Sequence, residues 1–503
     1  MSDSLIRASW RQLALLALLC SLWPAARAGT PGLDLPPLAQ PPRALVLPVL
    51  HEQVLSNGLT LVVAPRPALP LVSISLLVRA GPEADPPGRP GVASMTTTLW
   101  PKGALRAGRA VPAAELVRQA EALGGALESG SSWGASSLSM TVSSPQLAPA
   151  LALVVDVLRH PLLAADELER ARAQAIDAWR VTLGNPTEVA ALVLRRAYWG
   201  DVPHGRVAPP AALQRLRRAD LQAFQSRWVR PDRVSLVLAG DVTPAQALAL
   251  AERLLGDWRN PVAAPPEAAA AAPQPIAAPL VLIDLPGSGQ SAVAVAAPFI
   301  GRGADDPEQR YAGLVANAVL GGGYSARLNQ EVRIKRGLSY GAASSTESFA
   351  IGGMVSARAQ THHPSANEVL QRLRAEIARL ADAPPGAEEL AARQATLVGG
   401  FVRRLETTAG LSALLVGQLA QRRPLAELAQ YAPGLLAVTP EQVQAFARDH
   451  WQAAALRSVV VGDLAAAGAD LGADLGPDLG AQAPLRMTID QLDLEQTSLR
   501  KPR

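Results

Sequence analysis

The sequence predicts an α+β protein built from two homologous domains of about 220 residues each. Asp85-Pro86 recurs as Asp306-Pro307, and an apolar run ending in Gly-Asp recurs later at nearly the same offset. Between the two copies, residues 260–279 read NPVAAPPEAAAAAPQPIAAP. Proline excludes a regular helix there, and alanine offers no anchor for a core, so this stretch is predicted to link the domains.

Strands and helices alternate along the first copy. Short apolar runs predict strands and longer amphipathic runs predict helices. Asn57-Gly58 indicates a hairpin turn within the first strand region. The predicted strands are 53–63, 72–78 and 234–239, and the predicted helices are 113–123, 144–159, 165–183, 211–228 and 243–258. In the second copy, 291–300 mirrors 72–79 and 458–463 mirrors 236–241.

The Gly-Asp ends of two apolar runs place Asp241 and Asp463 directly after buried strands. A carboxylate at the end of a strand is a possible catalytic group. Because the same residue type recurs at the same place in both copies, a turn or helix-entry role is the favoured interpretation.

Composition and net charge limit the classes of function that the chain can have. The 503 residues are 49% hydrophobic, which suffices for large cores, and they carry a formal net charge of +4. The basic residues form no run, so we expect no nucleic-acid partner.

The N-terminus resembles an export signal. Arg7 and Arg11 precede a short apolar run at 13–23, and Ala26-Arg27-Ala28 gives a small-x-small cleavage pattern. We therefore predict a signal peptide at 1–28, cleaved after Ala28, and a periplasmic mature protein with no membrane association. A retained membrane anchor is the alternative, although the run is shorter than a membrane span requires.

The remaining boundaries follow from composition. Cys20 is the only cysteine and lies within the predicted signal, so the mature chain has no disulfide and no thiolate metal site. The predicted segments are a Pro-rich leader at 29–45, an N-terminal domain at 46–259, the linker at 260–279, a C-terminal domain at 280–464 and a low-complexity tail at 465–503.

The stretch from Gly321 to Tyr340 is the most informative in the chain: GGGYSARLNQEVRIKRGLSY. Gly321, Gly322 and Gly323 lead into a helical pattern, and Arg333 and Tyr340 stand seven residues apart across its exit. A phosphate-binding loop is the weaker interpretation, because no Gly-Lys-Ser/Thr follows the glycines.

This stretch closely resembles the substrate-binding segment in the C-terminal domain of the insulysin, pitrilysin and mitochondrial processing peptidase family, zinc metallopeptidases with an H-x-x-E-H motif. The resemblance extends from about Val46 to Leu464. It implies two α+β domains forming a clam-shell around a peptide cavity. It also implies that Arg333 and Tyr340 hold the substrate, with Gly321, Gly322 and Gly323 beside the cleft.

Mapping the family's zinc motif onto this chain gives different residue types. The matching turn and helix put Ser94 and Thr98 where the histidines belong and Thr97 where the water-activating glutamate belongs. The further glutamate ligand falls at Ala178. Hydroxyl groups and a methyl group carry no charge to hold Zn²⁺, so we expect no metal in this chain.

Histidines elsewhere do not offer a replacement site. His362 and His363 are the only adjacent pair, and neighbouring residues on a strand point to opposite faces. No carboxylate completes an H-x-x-E-H spacing around either residue.

Some members of the resembled family act in pairs, in which one subunit carries zinc and the other contributes the Arg and Tyr. We therefore expect a substrate-binding subunit that is inactive alone, acts on peptides, and completes an exported heterodimeric peptidase with a zinc-bearing H-x-x-E-H partner. The alternative is a peptide-binding chaperone or structural protein on the same fold. A self-sufficient hydrolase is a third hypothesis, but no nucleophile–base pair is visible.

Overall fold

The computed structural model describes residues 47–263, 265–266, 271–301, 306–475 and 482–501. The predicted signal peptide and the leader up to residue 45 lie outside these residues. Among the helices in the described ranges, none combines the length and the apolar character that crossing a bilayer requires.

A six-stranded mixed sheet forms the centre of the N-terminal half, in the order β1-β2-β8-β3-β7-β6. All neighbours are antiparallel except the parallel pair β2 and β8. Its strands, together with the separate hairpin β4–β5, are β1 (His51–Val54), β2 (Thr60–Pro65), β3 (Leu71–Val78), β4 (Gly103–Arg106), β5 (Arg109–Pro112), β6 (Glu128–Ser132), β7 (Ala135–Ser143) and β8 (Val234–Gly240).

Helices pack around this sheet. They are α1 (Val92–Leu99), α2 (Ala113–Ala122), α3 (Leu147–Arg159), α4 (Ala165–Leu183), α5 (Pro186–Trp199), α6 (Pro210–Arg215), α7 (Arg218–Trp228) and α8 (Pro244–Leu255). Strand β3 lies in the interior of the sheet and is covered on both faces, because seven of its eight residues are buried. Its two buried serines, Ser73 and Ser75, have hydroxyl partners in Thr141 and Ser412, so burial leaves neither unsatisfied.

The C-terminal half repeats the plan with the sheet order β11-β12-β10-β13-β9-β14. Its strands are β9 (Leu280–Asp284), β10 (Ser291–Phe299), β11 (Ser339–Ser348), β12 (Gly353–Thr361), β13 (Arg457–Gly462) and β14 (Leu485–Thr488). Its helices are α9 (Pro307–Gly321), α10 (Arg327–Asn329), α11 (Ala366–Asp382), α12 (Ala387–Leu405), α13 (Thr408–Ala420), α14 (Tyr431–Leu436), α15 (Pro440–His450) and α16 (Leu464–Ala467).

The predicted duplication is confirmed by strand order. A parallel pair, β2–β8 or β9–β13, is followed by a central antiparallel strand, β3 or β10, and then by a hairpin partner and an edge strand. In this correspondence β6 of the N-terminal half matches β11 of the C-terminal half. The α+β class and the two homologous domains predicted from the sequence are therefore correct, and the clam-shell arrangement stays a prediction.

Each half covers one face of the other half's sheet. Helix α5 of the N-terminal half packs on β10 and β13, and α13 of the C-terminal half packs on β3 and β8. The α5 contact buries Val193 with Ala294 and Val459, and the α13 contact joins the hydroxyls of Ser75 and Ser412 at 3.0 Å. These contacts fix the position of α5 against the second sheet.

Most predicted elements are present, and two predictions need correction. The predicted helix 211–228 is two helices, because the backbone is extended at buried Leu216, and Asp220 then accepts a hydrogen bond from the Arg217 amide to start α7. Part of the predicted tail belongs to the C-terminal sheet: β14 pairs in parallel with β9, and Leu499 is fully buried.

Candidate functional site

The turn after α9 brings the glycines of the 321–340 stretch against β11. A Cβ added to Gly321 would lie 2.4 Å from the Ser344 amide nitrogen, so the helix end and the strand approach too closely for a side chain. Arg393 of α12 holds the next part of the turn, since its Nη1 donates to the Ser325 hydroxyl at 3.1 Å. A rigid, glycine-lined corner results.

The segment that carries Arg333 is a π-helical turn, Gln330–Ile334, in which the Lys335 amide donates to the Gln330 carbonyl at 2.9 Å. Such turns occur often at functional sites because the extra residue turns side chains away from their α-helical direction. Here the turn follows directly on α10, so Arg333 leaves the helix surface at the exit toward β11.

Tyr340 sits on a β-bulge in the edge strand β11. Ser339 pairs with Thr361 and Ala342 pairs with Ala359, so two residues of β11, Tyr340 and Gly341, oppose one residue of β12. A bulge re-aims the side chain it carries. The Tyr340 side chain is accordingly 89% exposed although it belongs to a strand.

The guanidinium of Arg333 is stacked between two phenol rings. Its central carbon lies 4.8 Å from the ring centre of Tyr340 and 4.9 Å from the ring centre of Tyr324. Stacking on aromatic faces orients a guanidinium plane without using its N–H donors. The donors of Arg333 and the Tyr340 hydroxyl are therefore available to acceptors on a ligand.

Asn329, which is buried, ties the two tyrosine-bearing segments together. Its Nδ2 donates to the Tyr324 carbonyl at 2.6 Å, and its Oδ1 accepts from the Ala342 amide at 3.2 Å. The backbone beside Tyr324 and the strand that carries Tyr340 thus share one side chain as a spacer. This contact fixes the separation of the two rings between which Arg333 lies.

These residues line a pocket of about 880 Å³ between the two halves. Its walls come from α5, from the segment 321–333 and from β10, β11 and β12, and alanine and glycine are the commonest residues in its lining. Gly321, Gly322, Gly323, Arg333 and Tyr340 all line it, so the structure brings together the five residues that the sequence singled out. A small-residue floor with two converging donor side chains suits a peptide segment, whose carbonyl groups need donors.

The residues at the zinc-motif positions are arranged differently. Ser94 and Thr98 are exposed on α1, and Thr97 is 1% exposed and faces inward. The hydroxyls of Thr97 and Thr98 both donate to the Ser94 carbonyl at 2.9 Å. Ala178 is exposed on α4, a helix that contacts α1, and the neighbouring Asp177 carboxylate pairs with Arg180 at 2.6 Å.

This residue set does not fit a zinc ion. Ser94 lines a small pocket of about 370 Å³ together with the guanidiniums of Arg195 and Arg206, which disfavour a cation. Asp85 is the acidic side chain there, and burial raises its pKa to about 7, although the amides of Gly91 and Ala93 donate to it at 2.7 Å. Across the described ranges, no cluster of three His, Cys, Asp or Glu side chains could hold a metal.

Two family models match the chain. The model described as insulinase (Peptidase family M16) matches residues 61–206, and the model described as Peptidase M16 inactive domain matches residues 215–397. The chain belongs to the M16 peptidase family. It contains both the N-terminal and the C-terminal M16 domain, and together the two matches span more than half of its length.

Among M16 relatives, the chain is 29% identical over 321 residues to an uncharacterized zinc protease of Mycobacterium tuberculosis, covering 63% of this chain and 70% of the relative. It is 26% identical over 413 residues to an uncharacterized zinc protease of Streptomyces coelicolor, covering 80% and 87%. The chain is thus a zinc protease-like protein of the M16 family.

Solved structures agree. A peptidase M16 inactive domain from Pseudomonas fluorescens superposes with a TM-score of 0.75 at 25% identity, covering 82% of this chain and 98% of the other. A protease from Helicobacter pylori superposes with a TM-score of 0.76 at 19% identity, covering 83% and 100%, which shows the shared M16 fold.

Sequence reasoning passed over Tyr324, Asn329 and the whole of α5. Tyr324 and Asn329 lie within the quoted stretch, but nothing in the pattern shows that a residue nine positions before Arg333 stacks on it. A signal for α5 was present: Asn185 followed by Pro186 is a helix start, and the Asn185 side chain accepts from the Thr187 amide at 2.9 Å.

Proposed function

We propose that this protein is the substrate-binding, non-catalytic subunit of an exported, heterodimeric M16 zinc peptidase that processes or degrades peptides. The zinc belongs to a partner subunit with the H-x-x-E-H motif. This chain contributes the peptide-holding side chains and is inactive alone.

The single observation that carries the proposal is the stacked arginine. Arg333 is stacked against Tyr324 and Tyr340 and, like both of them, lines the pocket. Holding two long side chains in one geometry costs conformational entropy. An exposed tyrosine on a bulge and an arginine on a π turn are therefore best explained by a ligand that uses both.

The chemistry of the two side chains defines what they do for a bound peptide. A phenol hydroxyl and a guanidinium both donate hydrogen bonds, so they can share one peptide carbonyl oxygen. Such donors stabilise negative charge as it develops on that oxygen during cleavage. The same pair orients the peptide against the groups that a partner supplies.

The N-terminal half supports the assignment of the zinc to another chain. Ser94, Thr97, Thr98 and Ala178 supply no anionic or imidazole ligand, and two arginines line the adjacent pocket. Export rests on the signal-like N-terminus, with cleavage after Ala28 and a periplasmic location.

Co-purification of the native protein followed by reconstitution tests the proposal. We expect a 1:1 complex with an M16 subunit that bears H-x-x-E-H, and cleavage of unfolded peptides only after the two chains are mixed. A zinc-bearing neighbour that is fully active alone and unaffected by this chain contradicts the partnership. If this chain binds peptides but no M16 partner, the result supports the chaperone hypothesis instead.

A further inference from the structure

A second cavity, of about 580 Å³, lies within the C-terminal half on the other face of β11. Thr346 and Ser348 of β11 line this cavity, whereas Ser345 and Glu347 line the pocket that contains Arg333 and Tyr340. Its remaining walls come from α9, α12, α13 and the segment 423–431. The volume is within the range of small-molecule sites.

The charges that line this cavity are unbalanced. Arg310 and Arg423 share one carboxylate oxygen of Glu427, each at 3.3 Å, and Glu427 is the only acidic residue among the described lining residues. Arg404 also lines the cavity, and its guanidinium has no hydrogen-bond or ion-pair partner among the residues that the structure describes. Three guanidiniums against one carboxylate leave an excess positive charge that an anion would neutralise.

Aromatic and apolar side chains form much of the remaining lining. Tyr431 contacts the ring of Phe401 at a centroid separation of 4.5 Å and that of Tyr311 at 6.2 Å. Burial raises the pKa of Tyr431, and the nearby guanidiniums of Arg404 and Arg310 oppose this shift, so its hydroxyl stays protonated and can donate at neutral pH. An aromatic wall beside an excess of guanidinium charge accommodates a ligand with an apolar body and an anionic end.

From this geometry we infer that the cavity binds a carboxylate carried on an aromatic or apolar body, with Arg404 as the principal carboxylate partner. Two sources share this chemistry: the C-terminus of a peptide that ends in an aromatic residue, and a free aromatic acid. Strand β11 separates the cavity from Arg333 and Tyr340, and Gly322 lines both pockets. The inference does not rest on the proposed peptidase role.

Calorimetric titration of the mature protein with three probes tests the ligand class. N-acetyl-phenylalanine presents the carboxylate, N-acetyl-phenylalaninamide lacks the charge, and the tripeptide Ala-Ala-Phe presents the same group at a peptide end. We expect the amide to bind at least about tenfold more weakly than the acid, because it loses a charge-assisted hydrogen bond. Whichever of the tripeptide and the acid binds more tightly identifies the source, and both orders support the inference.

Matched variants locate the binding site. Arg404→Gln should weaken binding of the acid at least about tenfold. Arg403→Gln, an exposed neighbour on α12 that does not line the cavity, should leave it unchanged. Tyr340→Phe should leave the affinity for the acid unchanged, although it should lower turnover of the reconstituted complex, because Tyr340 lines the other pocket.

A space-filling variant tests the cavity without touching its charges. Gly417 lies within α13, lines the cavity, and has no atom within 4 Å of an added Cβ. Gly417→Leu should therefore fold normally, improve helix propensity and block binding. Gly399→Leu, at a helical glycine outside the cavity, is the control.

Equal affinity for acid and amide, equal effects of Arg404→Gln and Arg403→Gln, or full binding by a folded Gly417→Leu protein would each overturn the inference. So would the absence of any binding heat for all three probes at millimolar concentration. Thermal unfolding of each variant confirms that it is folded before titration.

Discussion

The two halves of this M16 chain share one strand order, but only the C-terminal half places an arginine beside a tyrosine of its edge strand. In the N-terminal half, α1 contacts the edge strand β6 and exposes Ser94 and Thr98. In the C-terminal half, β11 and the π turn present Tyr340 and Arg333. The comparison shows that a duplicated scaffold persists through packing alone, whereas the chemistry depends on a few exposed residues.

The aspartates at two helix starts, by contrast, have the same role in both halves. Asp306 is the N-cap of α9 and accepts from the Glu308 and Gln309 amides. Asp85, its counterpart in sequence, reaches over a longer turn to accept from Gly91 and Ala93 at the start of α1. Both carboxylates satisfy helix amides that would otherwise lack partners. The folding role of the motif is therefore kept in both halves.

Introducing zinc ligands at the motif positions should have the largest effect, on the zinc content of the chain. Ser94→His and Thr98→His place two imidazoles one turn apart on the exposed face of α1, and Ala178→Glu adds a carboxylate from α4. We expect the triple variant to retain about one zinc per chain on dialysis, measured by elemental analysis. The two-histidine variant should retain less, and no zinc in the triple variant would show that the three positions do not converge.

The prediction for Arg333 and Tyr340 concerns the activity of the reconstituted complex. Tyr340→Phe or Arg333→Ala removes a donor to the developing oxyanion and should lower turnover about 10²–10³-fold. Lys335→Ala is the control, because this lysine is exposed and pairs with Glu331. Steady-state kinetics on complexes that still assemble would check the effect. Small, equal losses at all three positions would show that Arg333 and Tyr340 do not hold the substrate.

How far the sequence predicts this site depends on the range of the interactions. The glycine turn, Arg333 and Tyr340 lie within twenty residues, so local pattern and family resemblance suffice to find them. The stacking of Arg333 on Tyr340 depends on the bulge in β11, and the spacer role of Asn329 depends on its contact with Ala342 of the same strand. No residue pattern encodes either contact. Strand β14 escaped prediction because its parallel partner β9 lies about 200 residues earlier, and such pairing leaves no local signal.

The N-terminal helix start predicts a pH effect on stability. Burial raises the folded-state pKa of Asp85 to about 7 from 3.8, and the negative charge of Glu83 adds to the shift. The folded state therefore holds the proton more tightly, and stability falls as pH rises from about 4 to about 7, by roughly 4 kcal/mol at most.

Asp85→Asn keeps the group neutral at every pH. In thermal unfolding, we expect the variant to match the wild type below about pH 4 and to exceed it increasingly up to pH 8. Parallel profiles for the two proteins would contradict the assigned pKa. Asp306, the equivalent residue in the other half, is a suitable second position, since Asp306→Asn should not remove this pH dependence.

The smallest effect concerns the contact between the halves. Arg195 of α5 donates through Nη2 to both carboxylate oxygens of Glu347 on β11, at 2.5 and 2.7 Å. Both side chains are partly exposed, so solvent screening limits the coupling energy to about 1 kcal/mol. A double-mutant cycle with Arg195→Ala and Glu347→Ala in urea measures it, and strictly additive losses would mean that the pair contributes nothing.

The central claim is that this chain binds the substrate while a partner holds the metal. The zinc-to-chain ratio of the complex purified from the native host tests it most directly. The account predicts one zinc for each pair of chains, and well under one in this chain once it is isolated and dialysed. Two zinc ions per pair, or near-stoichiometric zinc in the isolated chain, would contradict it.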